Sequence, residues 1–285
     1  MRNVLAAISK VCLLLATVSA AEDSYSSVRH FKITLHGDGE GPTPDVRLYN
    51  DMEIRYTRKQ RGNMIEVWCD STANTWKVLD KVTNDFYMDR EKYIVQQNTE
   101  KRKEYTPDKD ARLREMLEDS FGKALLTFEL NANGQEIKKT YSEAPGAKML
   151  IENASIENCV IFHGQRPPPD AKWTRTIDYS TSGRLSASFT GEFTYELLSE
   201  AATEPNVKIY KVTGTLKCDA FSATGIPGQA TDSKMEYEGR QVYDSKLQEW
   251  VSGEFKNSMT MHMPDQKAGT VAHCNYTLKQ EMLKP

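Results

Sequence analysis

The residue types best suited to chemistry in this 285-residue sequence are scattered along it. In HGDGEGPTPD, residues 36–45, Asp38, Glu40 and Asp45 offer carboxylate oxygens of the kind Ca²⁺ takes. Their spacing departs from the EF-hand pattern, and the surrounding Gly and Pro already specify an acidic turn after a strand. The five histidines, His30, His36, His163, His262 and His273, form no HxH or HExxH spacing. No GxSxG elbow, phosphate loop or dinucleotide fingerprint occurs. These patterns assign no catalytic residue, cofactor-binding residue or metal ligand, and no cofactor is expected.

Four cysteines follow the N-terminal segment: Cys69, Cys159, Cys218 and Cys274. An even count permits two disulfides in any of three connectivities. Apolar neighbours equally suit buried thiols. Arg58, Lys59 and Arg61 form a basic tip that could meet anionic lipid or glycan, and a solvated tip is the plainer reading. Asn153-Ala154-Ser155 and Asn275-Tyr276-Thr277 match the glycosylation acceptor pattern, which acts only in a eukaryotic secretory host.

Residues 1–20 read as an export signal. Arg2 and Lys10 supply positive charge, Val11 to Val18 is apolar, and Val18-Ser19-Ala20 offers small residues for cleavage. The expected location is periplasmic or extracellular. No later stretch approaches the ~18 uninterrupted apolar residues of a membrane helix, so an integral membrane protein is not expected. The net charge of −3 becomes about −5 without Arg2 and Lys10, since no acidic residue lies in that segment. Mild acidity argues against a nucleic-acid partner, which needs a concentrated basic face.

The elements that must position these residues are mostly strands. In LSASFTGEFTYEL, Leu185, Ala187, Phe189, Phe193, Tyr195 and Leu197 share one parity while Ser, Thr and Glu occupy the other. That period of two buries one face and wets the other. Tyr210, Val212, Leu216 and Cys218 repeat it, as do Val251, Phe255, Met259, Met261 and Met263, then Ala272, Cys274, Tyr276 and Leu278. Earlier come Phe31, Ile33 and Leu35, and a hairpin carrying Met52, Ile54 and Tyr56 to a Gly62-Asn63 turn and back through Ile65, Val67 and Cys69. Further strands are expected near 76–82 and 125–130, with Asn133-Gly134 turning into 135–140.

A helix is expected near 107–121, from Thr106 and Pro107 to Gly122, with Leu113, Met116, Leu117 and Phe121 on one face. A weaker one covers 147–158. Pro167, Pro168 and Pro169 then fix an extended connector before Trp173. The expected fold is mainly β (α+β). Curved antiparallel sheets form two β-rich halves, 21–163 and 164–285, with one or two packed helices.

Pro167, Pro169, Trp173, Gly239, Tyr243 and Asp244 carry a resemblance to a family of exported bacterial envelope proteins of unassigned function. It covers roughly residues 160–263. The resemblance implies a mostly β protein with fold-level similarity to curved-sheet lipoprotein and lipid-carrier proteins, and transfers no catalytic residue. The expected function is therefore a non-catalytic exported binding or accessory protein. Met259, Met261, Met263, Phe255 and Trp173 would line an apolar face able to hold lipid, or would be plain core. The alternatives are an assembly module pairing with an envelope protein partner and an envelope hydrolase.

Overall fold

The computed structural model describes residues 25–40, 47–78, 81–98, 100–154, 158–163, 165–181, 185–200, 205–223, 231–263 and 270–284. The expected export signal lies outside them, as do Asp45 and Ser155 of the Asn153 acceptor pattern.

Alternation dominates the fold as it dominates the sequence. The strands are β1 (Ser27–Glu40), β2 (Arg47–Arg61), β3 (Met64–Val78), β4 (Lys81–Asp89), β5 (Tyr93–Gln97), β6 (Lys103–Tyr105), β7 (Leu126–Leu130), β8 (Glu136–Tyr141), β9 (Lys172–Thr181), β10 (Leu185–Glu200), β11 (Val207–Ala223), β12 (Thr231–Asp244), β13 (Glu249–Met263) and β14 (Thr270–Met282). All belong to one antiparallel sheet, ordered β6-β5-β4-β3-β2-β1-β14-β13-β12-β11-β10-β9, with β7 on β3 and β8 on β7. Most neighbours in sequence pair as hairpins. Two pairings are distant: β3 with β7, and β1 with β14, from Phe31↔Met282 to Glu40↔His273, which joins the N-terminal half to the C-terminal half.

Strand β3 serves two partners. Its register against β2 slips by one residue after Arg55↔Ser71, so that Tyr56 faces Cys69 and Asp70 is the extra residue. A bulge of this kind bends a strand and switches its parity. Ile65, Val67 and Cys69 are buried before it and Thr72 after it. Met64–Val67 pair with β7, whereas Ser71–Val78 pair with β4. The strand expected across 76–82 is in fact a reversal, with Val78 paired to Lys81.

The β7–β8 hairpin brings the two arms of the sheet together. Glu136 on β8 meets Arg175 on β9 at 3.2 Å, and the Lys139 ammonium donates to the Asp178 carbonyl. Side chains, rather than a backbone ladder, carry this seam. Between the arms lie α1 (Ala111–Phe121), α2 (Pro145–Ala154) and α3 (Asn158–Phe162). Helix α1 starts one turn later than Thr106 and Pro107 suggest. Asp110 is the cap, extended at φ −142°, and its carboxylate accepts from the Arg112 and Leu113 amides. Its apolar stripe of Leu113, Leu117 and Phe121 is buried.

Helix α3 fills the interior. Cys159, Val160, Ile161 and Phe162 are all 1% exposed or less. The Pro connector that follows is held by Trp250, whose indole donates to the Gln165 carbonyl at 2.8 Å, and by the Arg166 amide on the Gly134 carbonyl at 3.0 Å. Trp173 then opens β9 stacked on Tyr195, with ring centroids 4.0 Å apart. Opposite α3, Gly253 leaves room for the Phe162 ring, which would lie 2.6 Å from a Cβ built there. Gly253→Ala therefore overpacks the seat of α3 and is expected to cost about 1–3 kcal/mol, measured by urea denaturation against Gly62→Ala, which meets no neighbour but strains a positive φ.

Candidate functional site: a buried polar cluster

Arg58 follows Ile54 and Tyr56 on the inward parity of β2, so the chain carries its charge into the core. Arg58 is 4% exposed. Burial of a guanidinium demands a counter-charge. Glu249, the first residue of β13, supplies it: Arg58 Nη1 and Glu249 Oε2 are 2.6 Å apart and both side chains are 4% exposed. Nη1 and Nε are buried without an aligned hydrogen bond, so this is an ionic contact more than a directed one.

The second carboxylate oxygen of Glu249 lies 3.6 Å from His163 Nδ1. His163 directly follows α3 and is 1% exposed. Its Nε2 is 2.5 Å from the Tyr56 hydroxyl, which donates to Gln280 Oε1 at 2.7 Å. With the phenol hydrogen committed to Gln280, His163 Nε2 is the donor to Tyr56 and Nδ1 presents a lone pair toward Glu249. The imidazole edge also packs on Phe31, with centroids 5.1 Å apart. The cluster thus joins β2, β13, β14 and the end of α3.

Burial governs the titration of His163, Tyr56 and Arg58. It lowers the His163 pKa, against the pull of Glu249 and with help from Arg58 and Arg175. It raises Tyr56 well above the phenol range, assisted by Cys159 and Glu249. It lowers Arg58, opposed first by Glu249. Tyr243, nearby, is pushed up to about 12, again mainly by burial. A carboxylate, imidazole and phenol in series resemble a proton relay. At 0–4% exposure, however, they act on one another and on the fold.

The residues named from the sequence are dispersed. Phe255 is fully buried and packs on Phe162 and Phe193; Trp173 and Met259 are 8% and 5% exposed. The side chains of Met261 and Met263 are outside the described residues. Cys69, Cys159, Cys218 and Cys274 are buried thiols, joined in no disulfide. Of the basic tip, only Arg58 turns inward; Lys59 is half-buried over Trp68 at 3.7 Å, and Arg61 is exposed, over Tyr25 at 4.9 Å. His36 contacts Asp51 at 2.6 Å and His30 contacts Thr57 at 2.9 Å. Among the described residues, no group of three or more His, Cys, Asp or Glu side chains converges as a metal site.

On the opposite, polar face, β1 and β10–β14 form a groove of about 1130 Å³ lined by Asp38, Thr190, Glu192, Lys217, Glu238 and Lys256 among others. Carboxylates, ammonium groups and hydroxyls share its walls.

No protein-family model and no curated protein matches the chain. Among solved structures, the chain is similar to lipovitellin, in a structure described by its lipid–protein interactions, at TM-score 0.46 and 11% identity. That match covers 92% of this chain and 26% of the other, so the chain spans about a quarter of it. It is also similar to the translocator domain of the autotransporter NalP from Neisseria meningitidis, at TM-score 0.24 and 8% identity over 98% of this chain and 97% of that one. OccK5 of Pseudomonas aeruginosa gives TM-score 0.25 and 7% identity over 90% and 97%.

Removing one partner of the buried ion pair leaves the other uncompensated. Glu249→Ala is expected to lose about 3–5 kcal/mol in chemical denaturation, and the double substitution Arg58→Met with Glu249→Leu to recover most of that loss.

Proposed function

We propose that the protein is an exported, non-catalytic binding or accessory protein whose curved sheet offers its inner face to an apolar ligand such as an acyl chain. The observation that supports this most is what covers that face. Phe193, Val212, Phe255, Leu278, Ile33 and Ile54 are fully buried along successive strands. At its centre the cover includes a helix of five residues, α3, rather than a second sheet. A short helix seated on side-chain contacts is an exchangeable filling, because few backbone hydrogen bonds resist its departure. Among the described residues no helix is long and apolar enough to cross a membrane. The outer faces of β10–β13 carry Glu192, Lys217, Glu238 and Lys256, which suit water.

The second reading, a module that pairs with an envelope partner, is favoured by β6, whose three residues are exposed at one end of the sheet. Such an edge can accept a further strand, although Lys103 and Glu104 oppose it.

The two are separated by ligand binding. Native mass spectrometry of the purified protein is expected to show a co-purified lipid adduct. Phe162→Ala, which empties the space beside Phe255, is expected to raise binding of 1-anilinonaphthalene-8-sulfonate severalfold, with Phe162→Leu as the milder variant should the alanine form not fold. A folded wild-type protein with no adduct, together with folded variants that bind no more probe than it does, would overturn the proposal.

A further inference from the structure

Glu249 is the one carboxylate within the buried cluster, and two basic groups face it. Arg58 takes one oxygen at 2.6 Å, and His163 stands 3.6 Å from the other. With His163 neutral, the cluster is balanced: one guanidinium, one carboxylate. With His163 protonated it holds two cations for one anion, out of contact with water.

Among the described residues, the groups that face His163 offer no second anion. From β2 come the Tyr56 hydroxyl and Arg58; from β14, Gln280; from β1, the Phe31 ring. Strand β9 contributes Arg175, which is 6% exposed, donates to the Ile161 carbonyl at 3.4 Å and is matched by Glu136 on its far side. From α3 itself comes the Cys159 thiol, and Tyr243 and Arg166 lie beyond Arg58. Several of the remaining polar atoms are already short of partners. The Gln280 Nε2 atom, both amide atoms of Gln241, and His163 Nδ1 are buried and without hydrogen bonds.

The position of His163 decides where the strain falls. It is the residue immediately after α3, and its hydrogen bond to Tyr56 is the polar tether between that helix and the sheet, while its Nδ1 faces the Arg58–Glu249 pair. We infer that His163, Glu249 and Arg58 form an acid-operated latch that holds α3 in the sheet at neutral pH and releases it when His163 takes up a proton. The inference rests on the reading of the inner face as a binding surface, since α3 is what occupies it.

The direction follows from where the proton is better held. Released into water, His163 titrates near its ordinary value of about 6.5. Docked, burial holds it lower. Docking is therefore fully favoured above about 6.5, and its equilibrium constant falls by up to about tenfold per pH unit below that, levelling off beneath the docked value. A carrier built this way would fill its own interior in a neutral compartment and empty it in an acidic one.

Hydrogen exchange of the full-length protein, read by mass spectrometry between pH 7.5 and 5, tests the latch without any ligand. After correction for the intrinsic pH dependence of exchange, peptides covering α3 are expected to lose protection at least tenfold on acidification, while those from the centres of β10–β13 keep theirs. His163→Gln, which retains a neutral amide there, is expected to make α3 protection independent of pH. Should that variant not fold, the imidazole resonance of His163 in the wild-type protein provides the check: its titration midpoint must coincide with the loss of protection. Unchanged α3 protection down to pH 5, or a loss that persists in folded His163→Gln, would overturn the latch. Probe binding that fails to rise while α3 protection is lost would instead overturn the binding function and leave the latch standing.

Discussion

A single carboxylate inside the core sets the terms for the rest of this protein. Arg58 enters the interior because β2 alternates, and without Glu249 its charge would be insupportable at 4% exposure. Glu249 opens β13, so satisfying Arg58 fixes β13 against β2 across the two strands that lie between them, β1 and β14. The same carboxylate stands 3.6 Å from His163, at the end of α3. Hydrophobic burial supplies the stability of the fold, while this ion pair selects one arrangement of its parts.

Strand content was legible because a period of two is a strong local signal, which most inner residues obey, with Leu35, Leu197, Val251 and Tyr276 only half-buried. Phe31, Ile33, Ile54, Phe193, Val212, Phe255 and Leu278 were all placed on the buried parity by sequence alone and are all fully buried. The polar cluster was less visible. Arg58 was read as part of a basic tip, although its spacing from Ile54 and Tyr56 already put it on the apolar face. Gln280, two residues beyond Leu278, carried the same signal. A polar residue on the inward parity is more informative than another apolar one. What no periodicity could reveal is that position 58 meets position 249, since that contact depends on β1 and β14 pairing between β2 and β13.

The sheet's topology was hidden for a related reason. The Asp70 bulge lets β3 change partners midway, and only tertiary contacts show that β7 and β8 then reach back toward β9. The connector with three prolines was expected to separate two halves. It is pinned by the Trp250 indole on the Gln165 carbonyl and by the Arg166 amide on the Gly134 carbonyl. Its stiffness delivers Trp173 onto Tyr195 at the start of β9. The thiols likewise became core fillers, because each sits on an inward position with apolar neighbours.

The pairing of β1 with β14 has a bearing on how such a chain comes to be made. The strand that fuses the two arms follows every other described strand in the sequence, yet its berth is at the middle of the finished sheet. Everything synthesised earlier must wait with two raw edges open, and contacts this remote in sequence form slowly. A nascent chain arrested short of β14 would present both edges to its neighbours as an invitation to aggregate.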